Sequence, residues 1–160
     1  MVVAVGLLSL LVGISVTVVS GSKRGRAQAQ CAANLRSIGI AFVMYAQDYQ
    51  DSYPESTPEA QWEDLLRPFA VRATFHCPAD NELFAALDSS YDWRDTGDPK
   101  TTLAGRLAML VTATDLALAF DALPDWHQKG SIQVLRVNQS VEMINMASFF
   151  EDMRRSPMSP

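Results

Sequence analysis

Between Met1 and Gln47 the chain has no aspartate or glutamate, and between Met1 and Ser22 it has no charged side chain of either sign. A stretch that lacks charge for so long is not an ordinary solvated surface element. No proline precedes Pro54, so nothing of that kind breaks a helix in the first fifty residues. Cysteine is scarce, with Cys31 and Cys77 alone, which excludes a disulfide-dense scaffold and leaves room for one bridge at most. Basic charge is also in the minority: 13 Lys and Arg against 18 Asp and Glu give a net charge of −5, which argues against general nucleic-acid affinity. Neither a glycine-rich phosphate loop nor a nucleophile elbow is present, and there is no internal repeat or low-complexity tract.

What is present is unevenly distributed. The composition is 48% hydrophobic, yet mean hydropathy is only +0.02, because the apolar excess sits at the front. Residues 1–22 as a helix extend about 33 Å, against a hydrocarbon core of about 30 Å. Lys23, Arg24 and Arg26 follow at once, where headgroup anchors belong. The pattern predicts a retained transmembrane helix. A cleaved signal peptide fits less well, since Val19-Ser20-Gly21 is a weak cleavage site and no basic segment precedes the apolar run. A buried core helix fits less well too, because no face of the segment is strongly polar. By the positive-inside rule alone, the basic cluster points the rest of the chain into the cytoplasm.

From Arg24 to Tyr49 the pattern becomes two-faced. Cys31, Leu35, Ile38, Phe42, Tyr45 and Tyr49 recur at steps of 4, 3, 4, 3 and 4, one helical stripe, with Asn34, Arg36, Ser37 and Gln47 largely off it. The simplest reading is one long helix. Residues 1–22 form its membrane half and residues 23–50 an amphipathic continuation, whose Leu35, Ile38, Phe42, Tyr45 and Tyr49 pack on a sheet. Asp48, Asp51, Ser52 and Pro54 end it.

Residues 51–155 read as a small head. Thr57 and Pro58 predict the start of a short helix through Trp62, Leu65 and Leu66. Residues 88–102 read as an irregular loop with Tyr91 and Trp93 pinning it to the core. Leu116, Leu118 and Phe120 alternate with Ala117 and Ala119, a strand pattern whose alanine face suits a close helix. Ser131–Val137 predicts a second strand, with Ile132 and Val134 on one face and Leu135 and Val137 on the other. Asn138-Gln139-Ser140 predicts a hairpin connection to a third strand holding Val141 and Met143. Met146–Arg154 suits a terminal helix, and residues 156–160 a frayed tail. The expected fold class is α+β.

These residues resemble a family. Cys31, Asn34, Leu35, Ile38 and Gly39, then Tyr45, then Tyr53-Pro54, resemble the helix of pseudopilin-like proteins of the type II secretion G-type class, the prepilin-type cleavage/methylation domain family. Phe75-His76-Cys77-Pro78-Ala79-Asp80 looks like that family's F-x-C-P-x-D element and Ser90-Tyr91 like the start of its S-Y-G-Y-N element. Residues 121–141 look like its closing element, with Gly130, Val134, Leu135 and Val141 in place and His127 one residue too far upstream. The resemblance implies a pilin-like fold and a non-enzymatic structural subunit of a secretion or pilus-type assembly. It implies partners in the lipid bilayer and in pilin-like subunits contacted through the N-terminal helix. It also implies a single-pass protein of a bacterial inner membrane whose head is extracytoplasmic, against the positive-inside rule. The processing motif ending in Phe-Thr-Leu-Ile-Glu is not found; counted back from Cys31 it falls just before Met1. That departure favours the alternative of a monomeric, membrane-tethered binding module that has lost assembly.

Little else in the chain points to chemistry. Cys31 and Cys77 leave two readings open, a disulfide tying helix to head in an extracytoplasmic compartment, or two buried thiols. Cys31, His76, Cys77 and His127 are zinc-ligand types, but their spacing fits no standard finger. Cys77 with His127 as a catalytic pair, and Asp80, Asp88, Asp121 and Asp125 as calcium donors, lack the patterns those sites require. No cofactor and no catalytic residue are expected.

Overall fold

The computed structural model describes residues 2–158, with side chains from residue 23 onward. Helix α1 runs over Val2–Asp48. The expected transmembrane segment, 1–22, lies outside the residues whose side chains are described. Among the described residues no helix is long and apolar enough to cross a membrane.

The amphipathic half of α1 positions everything after it. Cys31, Leu35, Ile38, Phe42 and Tyr45 are buried, and Ala41 and Ala46 beside them also face inward. Two residues depart from the stripe. Tyr49 is 51% exposed, because the helix stops at Asp48 and the backbone turns to positive φ at Gln50 and Asp51. Its ring stacks on Tyr45 instead, at 4.2 Å between centroids. Asn34, expected off the packing face, is buried, and its amide donates to the His76 carbonyl at 2.7 Å and to the Tyr91 hydroxyl at 3.2 Å.

The head begins with α2 over Trp62–Leu66, α3 over Leu83–Leu87 and β1 over Tyr91–Trp93. It continues with β2 over Ala117–Asp121, β3 over Ser131–Arg136, β4 over Val141–Asn145 and α4 over Met146–Met153. The strands form one antiparallel sheet in the order β1-β2-β3-β4. The fold is therefore α+β, a small sheet between the amphipathic half of α1 and the short α4.

Several local expectations need correction. Helix α2 starts at Trp62, not at Pro58. Thr57 closes a turn by accepting from the Ala60 N–H, and Asp64 reaches back to accept from the Gln61 N–H. Tyr91 and Trp93 do reach the core, but as an edge strand paired with β2 rather than as loop anchors. The alternation in β2 is broken by a register shift between Ala117 and Ala119. An extra residue at a bulge turns neighbouring side chains to the opposite face. Ala117 and Phe120 therefore pack with Ile132, Val134 and Phe149 on the α4 side, while Leu118 and Ala119 join the α1 core. No alanine face survives. Strand β3 does divide as its alternation predicts, Ile132 and Val134 toward α4 and Leu135 and Val137 toward α1.

Two close fits hold the layers. In the β3–β4 turn Gln139, not Asn138, takes positive φ, at 69°. The Asn138 carboxamide oxygen accepts from the N–H and hydroxyl of Ser140, which makes the turn an Asx-type arrangement. The Gln139 side chain then lies over Gly39, where a Cβ would overlap it and would stand 3.1 Å from Leu135 Cδ2. Glycine here serves close approach of helix and sheet.

On the opposite face, Asp152 of α4 accepts from the Ala117 N–H at the bulge (2.8 Å) and from Arg136 (3.2 Å). The fully buried Arg94 donates to the carbonyls of Thr101 (2.9 Å), Asp152 (2.8 Å) and Arg155 (2.8 Å). The tail is not frayed as far as it is described, since the Pro157 carbonyl accepts from the N–H groups of Thr112 and Ala113.

Removing Asp152 strands the Ala117 N–H and takes away the buried carboxylate beside the fully buried Arg94 and the half-buried Arg136. Asp152→Ala is expected to cost about 3–5 kcal/mol in urea unfolding, and the exposed Glu151→Ala about 0.5 kcal/mol or less. Equal small losses in both variants would show that Asp152 is not a tie between layers.

Candidate functional site

Cysteine, histidine and aspartate side chains converge at the seam between α1 and the sheet. Cys31 comes from α1, Cys77 from the segment after a 3-10 turn at Arg72–Phe75, Asp121 from the last position of β2, and His127 from the connection to β3. All four are buried. The cysteine sulfurs are joined in a disulfide with a Cα–Cα distance of 5.1 Å. The bridge ties α1 to the loop that precedes α3. It closes 46 residues of sequence.

The segment holding Cys77 is itself rigid. The Cys77 N–H donates to Ser90 Oγ at 3.0 Å, and the Ser90 hydroxyl donates to Asp80 at 2.6 Å. Asp80 also accepts from the N–H groups of Glu82, Leu83 and Phe84 at 2.8–2.9 Å. Burial pushes the Asp80 carboxyl up, but Ser90 and the three N–H donors outweigh it and hold the group below its ordinary value.

Beside the bridge, His127 Nε2 lies 3.6 Å from Cys77 Sγ and 3.6 Å from Asp121 Oδ2. The second distance is too long for a hydrogen bond. Asp121 Oδ2 accepts from the Gln133 N–H at 3.2 Å. Asp121 Oδ1, His127 Nδ1 and Gln133 Oε1 are buried without a hydrogen-bond partner. Burial pushes the Asp121 carboxyl up to about 7, the Gln133 N–H opposing it only in part, and burial also lowers the His127 imidazole. Both groups are thus driven toward their neutral forms rather than toward an ion pair.

Other donors considered from sequence do not gather here. His76 is exposed, and its ring stacks on Phe84 at 4.5 Å. Asp88 pairs with Arg67 and Arg72, and Asp125 accepts from the Gly130 N–H. Among the described residues, the one group of His, Cys, Asp or Glu donors close enough to share an ion is Cys31, Cys77 and His127, within 4.8 Å of one another. With its sulfur in the bridge, Cys77 presents no thiolate for nucleophilic attack. Sequence reasoning did not single out Asp121 as the neighbour of His127. An acid closing an otherwise apolar strand was the available signal.

A second feature lies outside the core. On the face of α1 turned away from the sheet, Ile40, Val43 and Met44 are 59%, 44% and 41% exposed. With Arg36, Gln47 and Gln139 they line a shallow apolar groove. No protein-family model, no curated protein and no solved structure matches this chain.

Two measurements follow from the seam. Replacing both cysteines (Cys31→Ser with Cys77→Ser) is expected to cost about 4 kcal/mol of stability by the chain-entropy estimate for this loop, read as a lower urea midpoint than the disulfide form. In the disulfide form, a raised Asp121 pKa means that the folded chain binds that proton more tightly than the unfolded one. Asp121 therefore stabilises most below its ordinary value of 3.8, and this contribution is lost as pH rises to about 7. The lowered His127 pKa has the opposite sign, adding stability as pH rises through 6.5. The reading that isolates Asp121 is the stability of Asp121→Asn minus wild type, expected to grow in the variant's favour from about pH 4 to about pH 7. A difference independent of pH would mean that Asp121 titrates as an exposed carboxyl.

Proposed function

We propose that this protein is a non-enzymatic, membrane-anchored structural subunit of pseudopilin type, held by residues 1–22 and packed into a secretion or pilus-type assembly through its N-terminal helix. The observation that carries the reading is the division of labour on α1. One face seats the head through Leu35, Ile38 and Phe42, while Ile40, Val43 and Met44 on the other face remain uncovered. An exposed apolar strip on a long helix is suited to another helix. The family resemblance in the Cys31–Gly39 and Phe75–Asp80 segments supplies the kind of assembly. The bridge between Cys31 and Cys77 favours a head outside the cytoplasm, since disulfides persist in oxidising compartments.

The test uses the full chain in its membrane. The protein is expected to resist alkaline extraction and to co-purify in detergent with pilin-like subunits. Ile40→Asp combined with Val43→Asp is expected to abolish co-purification and shift the unfolding midpoint of the head little, because both side chains are solvent-facing. Release without detergent would remove the anchor from the reading. A wild-type chain that stays in the membrane yet never associates with helical subunits would instead identify a monomeric tethered module.

A further inference from the structure

The buried seam contains more donor chemistry than a structural disulfide needs. His127 contributes nothing to the bridge, and its Nδ1 has no partner. Asp121 is 1% exposed, makes one backbone hydrogen bond, and leaves Oδ1 unpartnered. Two buried polar atoms without a protein partner are costly unless something meets them. The spacing is also informative. In a tetrahedral zinc site, with Zn–S about 2.3 Å and Zn–N about 2.0 Å, neighbouring ligand atoms stand about 3.3–3.8 Å apart. His127 Nε2 stands 3.6 Å from Cys77 Sγ and 3.6 Å from Asp121 Oδ2, both within that range. The three donors of Cys31, Cys77 and His127 already lie within 4.8 Å of one another. Asp121, beside His127, stands outside that group of three, and the two sulfurs are bonded to each other. In the dithiol state they are free to separate to ligand spacing.

We propose that the dithiol form of this chain binds one thiophilic divalent cation of the zinc class, held by Cys31 Sγ, Cys77 Sγ and His127 Nε2 with Asp121 Oδ2 as the fourth donor. The site and the disulfide are mutually exclusive states of the same sulfurs. Binding to the dithiol involves no change of oxidation state: the cation replaces two thiol protons, which pass to solvent. Starting from the disulfide, the S–S bond must first accept two electrons and two protons. A dithiol supplies both and becomes a disulfide. A phosphine supplies the electrons, takes oxygen from water and becomes a phosphine oxide, the two protons coming from that water. The inference is independent of assembly, since it concerns the inner face of α1 and not Ile40, Val43 or Met44.

The experiment takes the full chain in detergent, reduced with a phosphine, freed of reductant without oxygen, and titrated with Co²⁺ and then Zn²⁺. Expected is one equivalent of Co²⁺ with the visible absorption of a tetrahedral site and a thiolate-to-metal band, displaced by one equivalent of Zn²⁺. The disulfide form is expected to show neither. His127→Ala and Asp121→Asn should each weaken Zn²⁺ binding at least about tenfold against a competing chelator, and the exposed His76→Ala should not change it. Circular dichroism of each variant in the disulfide form establishes that it folds before reduction. If reduction loosens the wild-type head, Zn²⁺ should restore its folded signal and shield Cys31 and Cys77 from alkylation. The proposal is overturned if reduced wild type binds no tighter than Cys31→Ser with Cys77→Ser. It is also overturned if His127→Ala binds as wild type does, or if Zn²⁺ neither restores the fold nor protects the thiols.

Discussion

Everything in the head is referred to one contact, the inner face of α1 laid across the sheet. Leu35, Ile38 and Phe42 are almost wholly removed from water, and Phe42 meets Tyr53, Trp62 and Trp93 at ring distances of 5.2–6.1 Å. A helix that long has no reason to end in solution with such a face uncovered, since each fully buried side chain of this size contributes about 1.5–3 kcal/mol. The loops from Tyr53 to Trp93 carry few regular elements, and the aromatic side chains they deliver to Phe42 hold them in place. Gly39 and the Cys31–Cys77 bridge then set how closely the helix and the head approach.

The second layer solves a different problem. Strand β2 is buried along its whole length, so it needs cover on both faces. The bulge at Ala117–Ala119 breaks the alternation, sending Leu118 and Ala119 together to α1 and Ala117 and Phe120 to α4, and its Ala117 N–H donates to Asp152. Arg94 fills the adjoining space and donates to three main-chain carbonyls and, at 3.7 Å, to Met153 Sδ, with the Asp152 carboxylate at 3.8 Å. A buried cation compensated mostly by carbonyl groups is an arrangement that binds distant segments together, because its donors must be met in a fixed geometry. The two cores are therefore held differently: the α1 side carries the larger aromatic cluster, and the α4 side adds a charged tie to a smaller apolar one.

The buried seam of Cys31, Cys77, Asp121 and His127 sits where these layers meet. Its donors come from segments up to 96 residues apart in the chain, from Cys31 to His127. That separation explains why spacing rules tuned to local zinc loops or short catalytic motifs had little to say about it. The cysteine pair was visible as a pair; its neighbours were not. His76, adjacent to Cys77 in the chain and the more obvious companion, is turned outward onto Phe84.

Local sequence determined the amphipathic half of α1 and the two faces of β3 through their periodicity, and the hairpin to β4 through its turn residues. The first two follow from which side chains must leave water along a repeating backbone, and all three are local properties of consecutive residues. Tertiary contact decided the rest. Tyr91–Trp93 became a strand because β2 offered it an edge, and Asn34 turned inward because the His76 carbonyl and the Tyr91 hydroxyl needed a donor. Ala117 and Ala119 were parted by a bulge that Asp152 stabilises from α4. A backbone group or polar side chain that must find its partner across the molecule leaves no periodic trace in the sequence, so these choices could be read only once the layers had closed on one another.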